Sequence, residues 1–296
     1  MIVSLAAVSC VTDTTQEIDR TIGGANQTYI SLSLEHSRTQ LGDKVGDLYP
    51  LYWSEGDQIS INGLASNALT AEQAGSSKAT FVVSGALQTP YCIAYPAAAE
   101  GKVLFAEKQS HSGNTTFGSG VSTMYGYSND GIGAQLTHLT GVLKLGIVGG
   151  EKIVMAQIST IDRAPIAGEF DLDFESGEVT ATEASKDVIE YSFGEGVELS
   201  AEPTYIHVAV PAGVYEELYI TLYDINGGTM YARVKADDTK PLTAGNVRTF
   251  SNTINYASVA QSLFVVSNAA TLKSFAEQAA TLEKDVLFVA DIDMSN

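Results

Sequence analysis

Hydrophobic and polar residues alternate with a period of two along most of the chain. In the first clear run, residues 29–35, Ile30, Leu32 and Leu34 fall on one side of a strand and two serines on the other. Similar runs follow at residues 59–62, 143–147, 154–158, 170–174, 206–210, 219–223 and 230–234. Runs at this spacing, with no helical period between them, predict antiparallel β-sandwiches. The segment Asn226-Gly227-Gly228 predicts a tight hairpin, because these residues tolerate positive φ.

One helix is predicted near the end of the chain, after a capping Ser267 or Asn268. An apolar run at residues 286–290 follows it as a strand. Residues 259–296 are therefore expected to form an appended strand-helix-strand segment. The apolar positions at helical spacing are Leu272, Phe275, Ala276, Ala279 and Leu282.

The predicted fold class is all-β, with two tandem β-sandwich domains. At 296 residues and 45% hydrophobic content, the chain can bury a substantial core. A glycine-rich stretch near residues 111–133 is expected to close the first sandwich, and residues 136–148 to open the second. The expected division is an export-signal remnant and tether at 1–27, sandwiches at 28–133 and 134–258, and the appended segment at 259–296.

The charge balance excludes some partners. Lysine and arginine number 16 against 35 acidic residues, and the net charge of −19 would repel a phosphate backbone. Nucleic acid is therefore not expected as a partner. No stretch approaches the roughly 18 to 20 consecutive apolar residues that a spanning helix needs.

Motifs for catalysis are missing from the sequence. It contains no GxSxG elbow, no HExxH, no Walker loop and no GxGxxG after a strand. Four histidines lie singly and are interpreted as structural: His36, His111, His138 and His207. We therefore expect a protein that is not an enzyme, with no catalytic residues, no metal site and no cofactor.

Three carboxylates, Asp171, Asp173 and Glu175, are spaced by two and are expected to share one face of a strand. Such a face could hold a hard cation. A solvated acidic face opposite Phe170 and Leu172 is the preferred interpretation.

The two cysteines have different contexts. Cys92 lies in an apolar run, where a free thiol behaves as a small buried hydrophobe. The uncharged run that ends in Ala7-Val8-Ser9-Cys10 resembles a bacterial lipobox, in which the cysteine is acylated. Cys10 is the candidate lipidation site, and the lipid would be the only contact with a membrane. An incidental cysteine stays open as the alternative.

Eight short motifs occur in order within residues 28–257. They are Arg38-Thr39, LYWSEGDQISING at 51–63, ATF at 79–81, YCIAYPA at 91–97, LTHLTGVLKL at 136–145, IAGEF at 166–170, VAVPAG at 208–213 and LTAGN at 242–246. Each motif is brief, and their order makes the series specific. The series resembles the fimbrillin-like surface lipoproteins of Bacteroides, the type V pilin or fimbrillin A superfamily. The expected structural anchors are Trp53 as a core side chain, Asp57 in the turn beside it, and Tyr95 and Pro96 at a strand end.

The resemblance implies transthyretin-like sandwiches and a non-enzymatic adhesion protein, placed on the outer membrane as a surface-exposed lipoprotein or in an extracellular fimbria. It also implies an arginine-specific cut after a removable first strand, which opens a groove for a neighbour's strand. Arg38 is the candidate cut, Arg20 its rival, and an uncleaved Arg38 stays open. The candidate removable strand contains Tyr29, Ile30, Leu32 and Leu34.

The segment after residue 262 favours a tip or surface adhesin over a stalk subunit. It resembles the opening of a parallel β-helix, whereas stalk subunits end in a donor strand. Expected partners are other fimbrial subunits or ligands on host or bacterial surfaces.

One alternative is a glycan-binding surface lipoprotein, in which Tyr125, Tyr127 and Tyr231 stack on sugars. The other is a module that accompanies an enzyme.

Overall fold

Strands dominate the computed structural model of the chain. It describes residues 22–23, 27–34, 52–118, 120–131, 134–257, 263–266, 268–279, 281–282, 285–288 and 292. Among the described residues, strands make up 52% and helix 4%, which confirms the predicted all-β class.

The first ten strands form two antiparallel sheets, apart from β7 and β8, which pair elsewhere. The first sheet has the order β1-β2-β5 and the second the order β10-β9-β6-β3-β4. The strands are β1 (Ile22–Gly23), β2 (Gln27–Ser33), β3 (Ser60–Ile61), β4 (Leu64–Ala65), β5 (Lys78–Ser84), β6 (Tyr91–Tyr95), β7 (Lys102–Phe105), β8 (Lys108–Ser110), β9 (Met124–Ser128) and β10 (Thr137–His138).

The next ten strands form three sheets, which also include β7 and β8. One has the order β16-β11-β19, with β20 also paired to β11; a second has the order β18-β17-β12-β15-β8; the third is β14-β13-β7. The strands are β11 (Thr140–Val148), β12 (Lys152–Thr160), β13 (Ala167–Leu172), β14 (Val179–Lys186), β15 (Val188–Glu198), β16 (Thr204–Pro211), β17 (Glu217–Asp224), β18 (Thr229–Lys235), β19 (Val247–Thr249) and β20 (Ile254–Asn255).

Two ladders join strands from either side of the expected boundary at residues 133 and 134. Strand β7 pairs with β13 in antiparallel orientation, and β8 pairs with β15 in parallel orientation. The Phe105 ring packs edge to face on Phe170, with the ring centroids 5.0 Å apart. Backbone hydrogen bonds and an aromatic contact therefore cross the predicted boundary, and the division into two sandwich domains stays a prediction.

Two large hydrophobic cores lie in these two regions. In the first, β2, β5 and the second sheet enclose Trp53. In the second, β11 and β16 face β12, β15 and β17, and the buried side chains are mostly aliphatic, with five aromatic rings among them. Buried members of the second core are Leu143, Leu145, Ile147, Ala156, Ile158, Ile189, Ile206, Val208, Leu218, Ile220 and Leu222.

The last described segment is a strand-helix-strand unit, as predicted. Strands β21 (Leu263–Val266) and β22 (Asp285–Phe288) are parallel, and helix α1 (Ala269–Gln278) connects them. Asn268 caps the helix: its side chain accepts a hydrogen bond from the Thr271 N–H at 3.0 Å, and the Thr271 hydroxyl accepts one from the Asn268 N–H. Within the described residues, no helix has the length and apolar character needed to cross a bilayer.

Two turns test predictions of local structure. The hairpin at residues 226–228 is confirmed: it joins β17 to β18, and the Asp224 carboxylate accepts hydrogen bonds from the Asn226 and Gly228 N–H groups, both at 2.8 Å. The expectation that Asp171, Asp173 and Glu175 share a strand face is wrong. Strand β13 ends at Leu172, and the Asp173 carboxylate accepts hydrogen bonds from the N–H groups of Glu175 and Ser176, which closes a turn.

Candidate functional site

The candidate site is β2 together with the groove that it fills. Alternation of apolar and polar residues makes this segment a strand with one buried face. Ile30, Leu32 and Leu34 are exposed by 0%, 3% and 2% of their surface, respectively. Tyr29 points to the other side, is half-buried, and donates a hydrogen bond to the Gln27 side chain at 3.3 Å.

Strand β5 forms the wall of the groove. It pairs with β2 in antiparallel register over the seven residues of each strand, from Gln27 opposite Ser84 to Ser33 opposite Lys78. The opposite edge of β5 is held near its end, where the Asn67 N–H donates to the Val82 carbonyl at 2.8 Å. Strand β5 therefore keeps a neighbour on that side even where β2 is absent.

On its outer edge, β2 has little support. Within the described residues its neighbour there is β1, which contributes two pairs, Ile22 with Thr28 and Gly23 with Gln27. Most of the outer edge of β2 therefore carries no ladder in the described part of the chain. In the described part of the chain, β2 is attached by its long ladder to β5, the two pairs with β1, and the buried side chains of Ile30, Leu32 and the adjacent Leu34.

Aromatic rings form the floor of the groove. Trp53 is 1% exposed and packs edge to face on Phe81 and Tyr95, with centroid separations of 4.9 Å and 5.2 Å. Rings in this geometry bury a large apolar area and fix one another's orientation. Phe81 belongs to β5, so Trp53 braces the wall of the groove as well as its floor.

Asp57 is a buried carboxylate at the base of the aromatic cluster. The Tyr95 hydroxyl donates to one carboxylate oxygen at 2.8 Å, and the Ser54 N–H donates to the other at 2.7 Å. Burial raises the pKa of Asp57, and the hydrogen bonds from Ser54 and Tyr95 act in the opposite direction. Burial, together with the charge of Asp57, raises the pKa of Tyr95 far above its ordinary value, so this phenol stays a donor.

Pro96 follows Tyr95 directly after β6, and the peptide bond between them is cis. The next residue, Ala97, donates its N–H to the Gln58 carbonyl at 3.0 Å. The four predicted anchors, Trp53, Asp57, Tyr95 and Pro96, thus lie in one neighbourhood below the groove.

The other predicted processing residues lie outside the described part of the chain. These are Cys10, Arg20 and Arg38, together with His36. The candidate removable strand is described, whereas the candidate cut after it is not.

The acidic residues of the β13 region make different contacts. The Asp171 carboxylate forms an ion pair with Lys102 of β7 at 2.6 Å, and Glu169 contacts the same ammonium at 3.5 Å. Asp173 accepts the turn hydrogen bonds described above. In the described ranges, no group of three or more His, Cys, Asp or Glu side chains is placed to hold a metal ion.

The three described histidines differ in burial. His207 is buried in β16, and burial, with Lys144 and His111 nearby, lowers its pKa to about 4. Burial also lowers the pKa of His111, whose ring packs against Phe193. His138 is half-buried and lies 3.1 Å from the Ser122 hydroxyl.

Cys92 lies beside two of the three candidate sugar-binding tyrosines, Tyr125 and Tyr127, and pairs with Tyr127 in the β6–β9 ladder. Cys92 is half-buried, and burial, followed by the charge of Glu100, raises the pKa of its thiol. Tyr125 and Tyr127 pack against the cluster around Phe170, whereas Tyr231 is 62% exposed on β18. The structure thus separates Tyr231 from the other two.

Sequence reasoning missed β5 as the partner of β2. Ala79, Phe81 and Val83 are buried at every second position, and this period of two is visible in the sequence. The pattern could have indicated the strand. It could not have indicated that Thr80 pairs with Ser31, because 49 residues separate them.

Known proteins resemble this chain only weakly. No protein-family model matches the chain, and no curated protein matches it. Three solved structures of candidate cell adhesion proteins are similar to it. They come from Bacteroides ovatus (10% identity, TM-score 0.40, covering 70% of this chain and 87% of that one), Bacteroides uniformis (14%, 0.41, 79% and 96%) and Bacteroides fragilis (12%, 0.39, 77% and 91%).

Proposed function

We propose that this chain is a non-enzymatic cell-surface adhesion protein, a fimbrial component of the tip or surface-adhesin type, that joins its partners by β-strand addition. The observation that carries the proposal is the attachment of β2. A single long ladder and three buried side chains hold it, and its outer edge is largely unpaired in the described residues. A strand held in this way can be exchanged for one of equivalent pattern.

The physical basis of strand addition is the unfavourable free energy of leaving the groove empty. Loss of β2 would expose the main-chain groups of β5 and the apolar surface that contacts Ile30, Leu32 and Leu34. An incoming strand restores both, because main-chain hydrogen bonds supply affinity and alternate pockets select side chains. The Trp53 floor keeps the groove shaped for that strand.

In this proposal, cleavage after Arg38 releases the segment that includes β2, and acylated Cys10 anchors the uncut form to the outer membrane. The partners are other fimbrial subunits or ligands on host or bacterial surfaces. Cleavage after Arg20 would leave β2 in place, so the two arginines predict different products.

The test is complementation with a peptide of residues 27–34. The purified chain is treated with an arginine-specific protease, the products are identified by mass spectrometry, and binding of the labelled peptide is followed by fluorescence anisotropy. We expect binding only after cleavage at Arg38. A control peptide carrying aspartate in place of Ile30 and Leu32 should not bind.

Two variants sharpen this test. Arg38→Ala should abolish peptide binding after protease treatment, whereas Arg20→Ala should leave it unchanged. Strand addition would be contradicted if the chain is cleaved at Arg38, stays folded and does not bind the peptide. For the anchor, Cys10→Ser should move the protein from the membrane fraction to the soluble fraction of the expressing cells.

A further inference from the structure

The outer face of the five-stranded sheet β18-β17-β12-β15-β8 carries a cluster of tyrosines that the proposed function does not use. Strand β17 sends every second side chain into the second core. Tyr219, Thr221 and Tyr223 therefore lie on the other face. On β18, Val234 points inward, which places Tyr231 and Arg233 on the same outer face.

Tyr219 and Tyr231 form a stacked pair on this face. Their ring centroids are 6.1 Å apart, the planes are inclined by 25°, and Tyr231 is 62% exposed. Tyr223 is held nearby, because its hydroxyl donates to the Gln157 side chain at 2.9 Å. Tyr231 thus presents its ring to solvent, with the half-buried ring of Tyr219 behind it.

Polar groups continue from the tyrosines straight across the sheet. In the register of the four ladders, Tyr231 pairs with Thr221, Thr221 with Gln157, Gln157 with Glu190, and Glu190 with Lys108. With strands about 4.8 Å apart, this row is about 19 Å long. It offers an amide, a carboxylate and an ammonium, which can donate to and accept from hydroxyl groups.

Charges of both signs alternate on this face, although the chain carries a net charge of −19. Arg233 is paired with Glu217, with Nε 2.9 Å from Oε1, and Lys235 lies opposite Glu217 in the ladder. Glu190 lies opposite Lys108. A surface of this kind attracts neither a polycation nor a polyanion strongly, so it fits an uncharged ligand that is rich in hydroxyl groups.

In the described part of the chain, the strand-helix-strand unit covers one end of this face, at Val154 and Met155. Val265 packs against Val154 and Met155, and Tyr223 borders that contact. Met155 pairs with Tyr223 in the ladder and lies two residues from Gln157 along β12, on the same face of the sheet. The exposed tyrosine, Tyr231, lies in the Gln157 row, on the outermost strand of the sheet.

We propose that this outer face binds neutral glycans. The exposed ring of Tyr231, held in place by its contact with Tyr219, stacks on the apolar C–H face of a sugar ring, and Gln157, Glu190 and Lys108 bind hydroxyl groups of the sugars that follow. Binding of this kind requires no cleavage at Arg38 and no strand addition. The site is therefore independent of the proposed strand addition. Through it, the same protein would bind polysaccharide directly.

The test is affinity electrophoresis in native gels that contain one soluble neutral polysaccharide each: xyloglucan, galactomannan, mixed-linkage β-glucan or hydroxyethyl cellulose. Heparin serves as the polyanionic comparison. We expect at least one neutral polysaccharide to retard the protein, and Tyr231→Ala or Tyr219→Ala to raise the apparent Kd about tenfold. Tyr231→Phe should retain binding, because it keeps the ring.

Tyr52→Ala is the matched control, since Tyr52 is an exposed tyrosine in the first region of the chain. Thermal unfolding confirms that each variant is folded. The proposal is overturned if no neutral polysaccharide retards the protein, if heparin alone does, or if both alanine variants migrate like the parent. Peptide binding by the cleaved chain should be the same in all of these variants. Strand addition and glycan binding can therefore each be refuted without the other.

Discussion

Strands β2 and β11 both bury apolar side chains, yet their backbones are held very differently. Strand β11 pairs with β16 from Thr140 to Ile147 on one edge and with β19 and β20 on the other. Within the described residues, strand β2 has one long ladder, to β5, and a two-residue partner on its outer edge. Burial of side chains therefore does not by itself show how firmly a strand is held in a sheet. The number of paired edges matters as well.

The largest effect is expected from the doubly paired strand. Leu145→Ala in β11 should lower the free energy of unfolding by about 4 kcal/mol, because it leaves a cavity between sheets that cannot collapse around it. Leu145 is fully buried. The measurement is urea unfolding, followed both by circular dichroism and by fluorescence of Trp53, which is the single tryptophan of the chain.

Trp53 lies in the first region and Leu145 in the second. Because the β7–β13 and β8–β15 ladders join the two regions, we expect both probes to shift together. A fluorescence midpoint that stays constant while the dichroism midpoint falls would show that the regions unfold independently.

A smaller effect is expected from the strand with one long ladder. Leu32→Ala in β2 should cost about 2 kcal/mol, at the low end for a buried leucine, because an edge strand can move toward the cavity. Amide hydrogen exchange should also be faster in residues 28–33 than in residues 141–147. A Leu32→Ala cost equal to that of Leu145→Ala, with similar exchange in both strands, would contradict the comparison.

The two regions should also differ in how their stability depends on pH. The folded state lowers the pKa of His207 to about 4, so between about 6.5 and 4 the unfolded state binds more protons and acidification destabilises the fold. Burial raises the pKa of Asp57, so just above its ordinary value the folded state binds more protons and acidification has the opposite effect.

Unfolding at a series of pH values from 4 to 7 tests these signs. The His207→Gln variant should lose less stability on acidification than the parent, and Asp57→Asn should lose more. If the slopes of the two variants were interchanged, the assigned directions would be wrong.

Local features of this fold could be predicted from the sequence. The period of two at Ile30, Leu32 and Leu34 identified a buried strand face, and Asn268 with the following apolar spacing identified the helix. Both signals arise within a few residues, where backbone geometry alone connects the pattern to the structure.

Pairings over long distances could not be predicted in this way. The Lys108–Ser110 strand is too short and polar to carry a pattern, and its parallel register with β15 depends on the folded chain. Asp173 fits a strand pattern equally well, but its carboxylate closes a turn. The stacked Tyr219 and Tyr231 belong to neighbouring strands, so their contact depends on the hairpin register.

Strands β7 and β8 precede residue 133 but pair with strands that follow it, and this affects how the chain can be divided into fragments. A fragment that ends at residue 133 would keep both strands and lose the partners that satisfy their backbones, β13 and β15. A fragment that starts at residue 134 would expose the edges of those partners, and bare strand edges promote aggregation. Recombinant halves should therefore overlap, with residues 102–110 included in the downstream piece.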